Sequence, residues 1–216
     1  MVLKFYGYEH STASQIVAMV LREKKIPYEY IPIDLGKGEH KQPNYLAIQP
    51  FGQVPCIVED DGFTLYESRA IARYLVENYP GGPELIPSER KKRGLFDQAV
   101  SVEGFNFERY VNAVIMEGLL PKFRNQPYNE ERIKELGKSI ASTLDVYEKT
   151  LAKSRYIAGD ELTLADIYHL PGGNLLPIMG INLLQDDARP NVVRWWNEIS
   201  KLESWQKVKD GLPGKD

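Results

Sequence analysis

A proline stands where an inner β-strand is predicted to begin, in the segment Phe51-Gly52-Gln53-Val54-Pro55. Proline cannot donate a hydrogen bond to a strand ladder, so its place before the apolar run 56–58 needs a specific reason. A cis Val54–Pro55 peptide bond supplies one, because it turns the chain and leaves the N–H and C=O of Val54 facing outward. Those two groups can pair with an extended peptide, strand to strand.

A second chemical feature follows in the segment Glu67-Ser68-Arg69, which opens a helical pattern. The first turn of a helix has N–H groups without intrahelical partners and lies at the positive end of the helix dipole. Both properties favour a bound carboxylate. Together with the main chain of Val54, this helix start predicts a receptor for a small acidic peptide.

Composition excludes several classes of protein. The formal net charge of −3 argues against a nucleic-acid partner that needs a dominant basic surface. A single cysteine, Cys56, excludes an internal disulfide and Cys-rich zinc sites. No apolar run approaches the ~20 residues that span a bilayer, and the first residues lack a signal-peptide layout. We therefore expect no membrane partner and a cytoplasmic location.

The first eighty residues alternate between strand and helix patterns. The expected order is β-α-β followed by β-β-α, and Asp60-Asp61-Gly62 supplies the hairpin turn between the last two strands. A right-handed β-α-β crossover with an antiparallel hairpin gives a four-stranded mixed sheet of thioredoxin-like layout. The segment 36–47 has weak periodicity and is expected to be irregular. The prediction for residues 1–80 is thus an α/β domain.

Prolines and glycines at positions 80–83 and Pro87 interrupt the pattern, and we place a linker at residues 81–88. The remainder, 89–216, is predicted to be an all-α domain. Residues 88–118 suggest one long or broken helix, and 130–153 form a clean amphipathic pattern. Thr163 and Asp166 have the spacing of a helix capping box.

The chain resembles the cytosolic glutathione transferases along nearly its whole length, and is most similar to their serine-type, phi-like class. Four segments of the first domain and one of the second carry the resemblance: Gly7-Tyr8-Glu9-His10-Ser11, Gly38-Glu39-His40-Lys41, Pro50-Phe51-Gly52-Gln53-Val54-Pro55, Glu67-Ser68-Arg69-Ala70-Ile71 and Leu162-Thr163-Leu164-Ala165-Asp166. The resemblance implies glutathione as co-substrate, no metal ion, and small hydrophobic electrophiles as partners.

Ser11 is the catalytic residue that the resemblance implies. Its hydroxyl would donate a hydrogen bond to the glutathione sulfur and favour the nucleophilic thiolate. Position alone is equally compatible with a helix-capping role. Ser14 is a rival for the catalytic role, and Tyr6 lies near the position of the catalytic tyrosine in other classes.

The resemblance also implies how glutathione is held. His40 and Lys41 would bind its glycine carboxylate, while Glu67 and Ser68 would bind the ammonium and carboxylate of the γ-glutamyl end. The full set of implied glutathione-binding residues is Ser11, His40, Lys41, Gln53, Val54, Pro55, Glu67, Ser68 and Arg69. The expected walls of the electrophile pocket are His10, Leu35, Tyr110, Val114, Ile115, Pro171, Leu175 and Ile178.

One departure from the family pattern affects the expected activity. Phi-like members usually carry basic residues shortly after the catalytic serine, whereas Thr12-Ala13-Ser14-Gln15-Ile16 has no charge. The main interpretation is a transferase, with possible glutathione-dependent peroxidase activity. A ligand carrier with weak or no catalysis, and an interaction module on the same fold, remain alternatives. The family also implies a homodimer, in which Phe51 would insert into the second subunit or pack locally.

Overall fold

The structure, a computed structural model, describes residues 2–212. It divides into two compact units, one of residues 2–85 with 203–212 and one of residues 86–202. The sequence-based prediction placed the whole segment 89–216 in the helical domain, whereas the structure groups 203–212 with the first unit. The physical reason is a pair of long-range hydrogen bonds: the Gln15 side chain donates to the Val208 carbonyl, and the Leu212 N–H donates to Glu9. Residues 213–216 of the predicted domain lie outside the described part.

The first unit contains a four-stranded mixed sheet with strand order β2-β1-β3-β4. The strands are β1 (Leu3–Gly7), β2 (Tyr28–Pro32), β3 (Cys56–Val58) and β4 (Thr64–Tyr66). Strand β1 runs parallel to β2 and antiparallel to β3, which in turn pairs antiparallel with β4. The predicted fold class of the first domain is confirmed.

Three helices complete the order of the first eighty residues: α1 (Thr12–Glu23), α2 (Pro43–Leu46) and α3 (Ser68–Asn78). An apolar stripe forms the buried side of α1, with Ile16, Val17 and Val20 almost fully buried, as the sequence pattern indicates. Helices α1 and α3 pack against each other. This packing fixes where each helix starts relative to the ends of the strands.

The segment expected to be irregular contains a 3₁₀ turn at Glu39–Lys41 and the short helix α2. Pro43 occupies the first turn of α2, where its missing N–H costs nothing. Tyr45 anchors the segment because its side chain is buried. One buried residue in a four-residue helix leaves too little periodicity to read from sequence.

The second unit is helical, as predicted. Its α-helices are α4 (Arg90–Val102), α5 (Arg109–Val114), α6 (Leu120–Phe123), α7 (Glu130–Leu151), α8 (Leu164–Ile167), α9 (His169–Gly173) and α10 (Pro190–Ile199). The last helix, α11 (Glu203–Gln206), belongs to the first unit. Within residues 2–212, no helix is both long enough and apolar enough to cross a membrane.

The predicted long or broken helix at 88–118 is a chain of helical pieces. Turns of π-helix at Glu103–Glu108 and Ile115–Leu119 separate α4, α5 and α6. Such turns insert an extra residue into the helical repeat and change which side chains face the core. The apolar residues therefore continue to residue 118, but their spacing does not follow a single α-helical repeat.

The capping box at the start of α8 is confirmed. The Thr163 N–H and hydroxyl both donate to Oδ2 of Asp166, at 2.9 and 3.0 Å. Oδ1 of the same carboxyl accepts the Ile157 N–H at 3.0 Å and the indole N–H of Trp195 at 2.9 Å. Burial raises the pKa of the Asp166 carboxyl, and these hydrogen bonds act in the opposite direction. One buried side chain thus ties α8 to α10 and to the preceding loop.

Asp166→Asn should destabilise the protein strongly. An asparagine side chain has one acceptor oxygen and one NH₂ group. In the native protein, each of the two carboxyl oxygens of Asp166 accepts a hydrogen bond from an N–H group, which can only donate. At least one buried donor then loses its acceptor, which costs about 1–3 kcal/mol, with further loss from the facing NH₂ group. Equilibrium unfolding in urea measures the effect. Asp187→Asn at an exposed position is the control, and equal stability of the two variants would contradict the role given to Asp166.

Candidate functional site

Ser11 lies at the N-cap of α1, in extended backbone conformation. Its hydroxyl oxygen accepts the Ser14 N–H at 3.2 Å, and its own N–H donates to the Tyr8 carbonyl at 3.1 Å. A serine hydroxyl can accept and donate at the same time. The hydroxyl hydrogen of Ser11 has no acceptor within residues 2–212, so it is available to a ligand.

The two rivals of Ser11 have structural partners. Ser14 is fully buried, and its hydroxyl accepts the Tyr8 N–H at 3.2 Å. The ring of Tyr6 packs edge-on against Tyr45 at a centroid distance of 6.2 Å. Among these three candidates, Ser11 is the one that lies half-buried at a helix start, whereas Ser14 is fully buried and Tyr6 lies within β1.

The Val54–Pro55 peptide bond is cis, as predicted. Val54 is half-buried, and neither its N–H nor its C=O has a hydrogen-bond partner in the described part of the chain. The ladder of β3 begins only at Cys56. The main chain of Val54 is therefore a short open edge that can pair with an extended peptide.

Glu67 and Ser68 form the start of α3. Glu67 has φ +70° and ψ 111°, a region that costs a residue with a side chain about 1–3 kcal/mol. Ser68 is buried, and neither its N–H nor its hydroxyl has a partner within the described residues. Arg69 follows, half-buried, in the first turn. Strained backbone and unpaired polar groups at one helix start are characteristic of a binding site.

The loop that carries Gln53 is held by Lys41. The Lys41 ammonium donates to the carbonyls of Phe51 and Gly52, at 3.0 and 2.8 Å. The Gln53 main-chain carbonyl accepts a hydrogen bond from the Tyr45 hydroxyl at 2.7 Å. The Gln53 side chain is exposed and is not restrained by this hydrogen bond. An ammonium has three N–H donors, so Lys41 keeps one for a ligand.

His40 has an unusual environment for a loop residue. Its Nδ1 is buried and finds no hydrogen-bond partner in the part of the chain that the structure describes. An unpaired buried nitrogen is costly, and a ligand's polar group would satisfy it. No cluster of three or more His, Cys, Asp or Glu side chains within residues 2–212 could hold a metal ion.

The eight residues expected to form the electrophile pocket differ in accessibility. His10 and Ile178 are exposed, whereas Leu35, Tyr110, Ile115 and Leu175 are half-buried. Val114 and Pro171 are buried within the helical unit. Burial explains those two residues as core of the helical unit, and the other six are at least partly accessible to solvent.

Cys56 is buried and unpaired, and burial raises the pKa of its thiol to about 12. A thiol with so high a pKa stays protonated at neutral pH and is a poor nucleophile. The interpretation of Cys56 as a packing residue agrees with this environment.

Comparison with known proteins identifies the family. Residues 10–78 match the family model described as "Glutathione S-transferase, N-terminal domain", and residues 110–203 match the corresponding C-terminal domain model. Glutathione S-transferase F9 of Arabidopsis thaliana is 40% identical over 211 residues, which cover 96% of each chain. The chain belongs to the glutathione S-transferase family. The transferase is phi-like, and its class and enzyme type follow from these curated relatives.

Solved structures agree with this assignment. Glutathione transferase F2 of Populus trichocarpa superposes with a TM-score of 0.88 at 42% identity, covering 95% of this chain and 96% of that one. Glutathione S-transferase I from maize, solved with an atrazine glutathione conjugate, has a TM-score of 0.88 at 31% identity and covers 97% of each chain. The fold of the transferase is thus shared with these two solved glutathione transferases.

Sequence analysis missed three structural supports of the transferase's candidate glutathione site. The Lys41 ammonium donates to loop carbonyls, and the Tyr45 hydroxyl donates to the Gln53 carbonyl. The buried side-chain amide of Gln49 accepts the Gln53 N–H at 3.2 Å. The sequence signal that could have indicated this loop is the glycine next to Gln53, Gly52, which has φ +59° in the structure.

Gly52→Ala should damage the loop more than Gly38→Ala does. Both glycines have positive φ, but a Cβ at Gly52 would meet the His40 carbonyl at 2.7 Å and the Lys41 ammonium at 2.8 Å, whereas the Gly38 position is open. Both substitutions carry backbone strain of about 1 kcal/mol, and Gly52→Ala adds a steric clash with backbone. Thermal unfolding should show a clearly lower Tm for Gly52→Ala. A Tm equal to that of Gly38→Ala would mean that the loop relaxes without cost.

Proposed function

We propose that this transferase activates the thiol of glutathione through Ser11 and adds the resulting thiolate to small hydrophobic electrophiles. The observation that carries the proposal is the free hydroxyl hydrogen of Ser11 at the start of α1. A hydrogen bond to a thiolate favours the charged form over the thiol, and the helix N-terminus adds to that preference. The same thiolate would also attack an organic hydroperoxide, which breaks the O–O bond and releases the alcohol. A second glutathione thiol then displaces water from the oxidised sulfur and forms the disulfide.

The unpaired groups of the first unit support a common binding site for the glutathione backbone. The main chain of Val54 next to Pro55 would pair with the peptide, and Glu67 and Ser68 would hold the γ-glutamyl end. His40 and Lys41, with Gln53 and Arg69, would hold the remaining polar groups. Each pairing would satisfy a donor or acceptor that residues 2–212 leave open at Val54, Ser68 and His40.

A ligand carrier is the second candidate function. The run 12–16 after Ser11 contains no basic side chain, unlike the usual pattern of phi-like members. These positions therefore supply no cation that would help to stabilise a thiolate, which favours binding over turnover. Of the eight residues that we propose for the electrophile or carried ligand, Val114 and Pro171 are buried, and the accessible ones are His10, Leu35, Tyr110, Ile115, Leu175 and Ile178. We propose that the transferase is located in the cytosol, the compartment in which glutathione keeps protein thiols reduced.

The Ser11 proposal is tested with Ser11→Ala, Ser11→Gly and Ser11→Thr. A hydrogen bond to a charged group contributes about 1.5–3 kcal/mol, so loss of the hydroxyl should lower kcat/KM with a chloro-nitroaromatic about 10- to 100-fold. Without the donor, the pKa of the bound thiol rises, and the pH profile of kcat/KM shifts to higher pH. Glutathione affinity, measured by calorimetry, should change little.

The glycine and threonine variants separate catalysis from capping. Glycine is nearly as good an N-cap as serine and lacks the hydroxyl, while threonine keeps both properties. We expect Ser11→Gly to fold normally with low activity and Ser11→Thr to retain much of the activity. Full activity of Ser11→Gly would show that Ser11 acts only as a cap. A wild-type protein that binds glutathione without turnover would favour the carrier.

We also propose that the transferase is a homodimer. Phe51 is 63% exposed and its ring packs edge-on against Tyr66 at 5.9 Å, so a large aromatic surface faces solvent. A mainly apolar cleft of about 500 Å³ lies between α4 and α7 in the helical unit, with Leu95 and Val146 exposed in its lining. The cleft offers an apolar site that Phe51 of a second copy could fill.

Phe51→Asp should therefore convert a dimer to a monomer. Phe123→Asp is the matched control, because Phe123 is also 63% exposed and lies elsewhere. Analytical ultracentrifugation at micromolar concentration measures the mass of each variant. The proposal fails if the wild type is a monomer or if Phe51→Asp remains as dimeric as Phe123→Asp.

A further inference from the structure

The first unit contains a cavity at the C-terminal end of α1, which is the end of the helix opposite Ser11. Its volume is about 680 Å³, and its walls come from the end of α1, the chain at Gly82-Pro83 and helix α11. Helix α1 has twelve residues, so it separates the two places by about 18 Å. The cavity is therefore distinct from the candidate glutathione site.

Five charged side chains line this cavity without pairing. Arg22, Lys25 and Lys207 are the cations, and Glu23 and Glu203 are the carboxylates. None of them forms an ion pair with any residue in the range 2–212. Opposite charges that share one cavity but lie too far apart to pair leave room for a ligand that bridges them.

Ser204 adds an unpaired polar group to the same wall. The residue is only 5% exposed, and its hydroxyl oxygen is buried without a hydrogen-bond partner among the described residues. A buried hydroxyl without a partner costs free energy that a ligand's polar group can recover. This observation is independent of the charges and also indicates a bound polar molecule.

The floor of the cavity is apolar. Leu21 and Ile26 are buried there, and the half-buried ring of Tyr28 and the exposed Pro83 extend the apolar surface. Small-molecule sites combine such a surface with a few polar groups that fix orientation. The occupant should therefore carry an apolar side chain as well as charge.

We propose that this cavity binds a small zwitterion with an apolar side chain, of the kind formed by a short peptide with free termini. Its ammonium would face Glu23 and Glu203, and its carboxylate would face the cations Arg22, Lys25 and Lys207. A simple anion would leave the two carboxylates without a partner, and a simple cation would leave the three positive charges without one. A zwitterion satisfies both sets and leaves its side chain for the apolar floor.

The probe is the dipeptide alanyl-phenylalanine, compared with its N-acetyl and C-amide derivatives, which each lack one charge. Amide chemical shifts of the labelled protein report the site as well as the affinity. We expect shifts confined to residues 21–28, 82–83 and 203–207, with each blocked derivative at least about 10-fold weaker. Shifts at Val54 and Ser68 instead, or equal binding of all three compounds, would overturn the proposal.

Two variants test the residues. Ser204→Ala should keep the wild-type Tm, because the hydroxyl has no protein partner, yet weaken binding about 3- to 10-fold. Lys207→Glu should weaken it at least as much, while Lys201→Glu makes the same charge change outside the cavity and should have no effect. Undiminished binding by both Ser204→Ala and Lys207→Glu would overturn the assignment.

Discussion

The junction between β1 and α1 is the constraint on which the candidate site depends. Three hydrogen bonds close it: Ser11 N–H to the Tyr8 carbonyl, Ser14 N–H to the Ser11 hydroxyl, and Tyr8 N–H to the Ser14 hydroxyl. Gly7 permits the close approach, since a Cβ there would lie 3.2 Å from the Ser14 hydroxyl. The position of the Ser11 hydroxyl is therefore set by main-chain geometry rather than by side-chain packing alone.

The end of the chain reinforces the same junction. The Gln15 side chain donates to the Val208 carbonyl at 3.0 Å, and the Leu212 N–H donates to the Glu9 carbonyl at 2.9 Å. These contacts link residues that are about two hundred positions apart in the chain, so no local sequence pattern predicts them. This is why the sequence predicted the sheet and helix α1, whereas it placed residues 203–212 in the helical domain and the structure groups them with the first unit.

What could be predicted depended on signals that are local in the sequence. Pro55 at a strand start indicated the cis bond, Asp60-Asp61-Gly62 indicated the hairpin, and Thr163 with Asp166 indicated the capping box, and each is present. Side-chain roles that depend on tertiary contacts were beyond reach. Lys41 could be read as a cation for a ligand, but its hydrogen bonds to two loop carbonyls could not.

The hydrogen bonds of Asp166 and the unpaired groups of the candidate glutathione site illustrate the difference between a structural and a binding role. In the helical unit, the buried carboxyl of Asp166 accepts four hydrogen bonds and stabilises the fold. In the first unit, the main chain of Val54, the Ser68 N–H and Nδ1 of His40 have no partner within residues 2–212. Each such group costs about 1–3 kcal/mol when buried. A ligand that pairs with all three recovers the cost of the buried Nδ1 of His40, so part of its affinity comes from desolvation that the fold already carries.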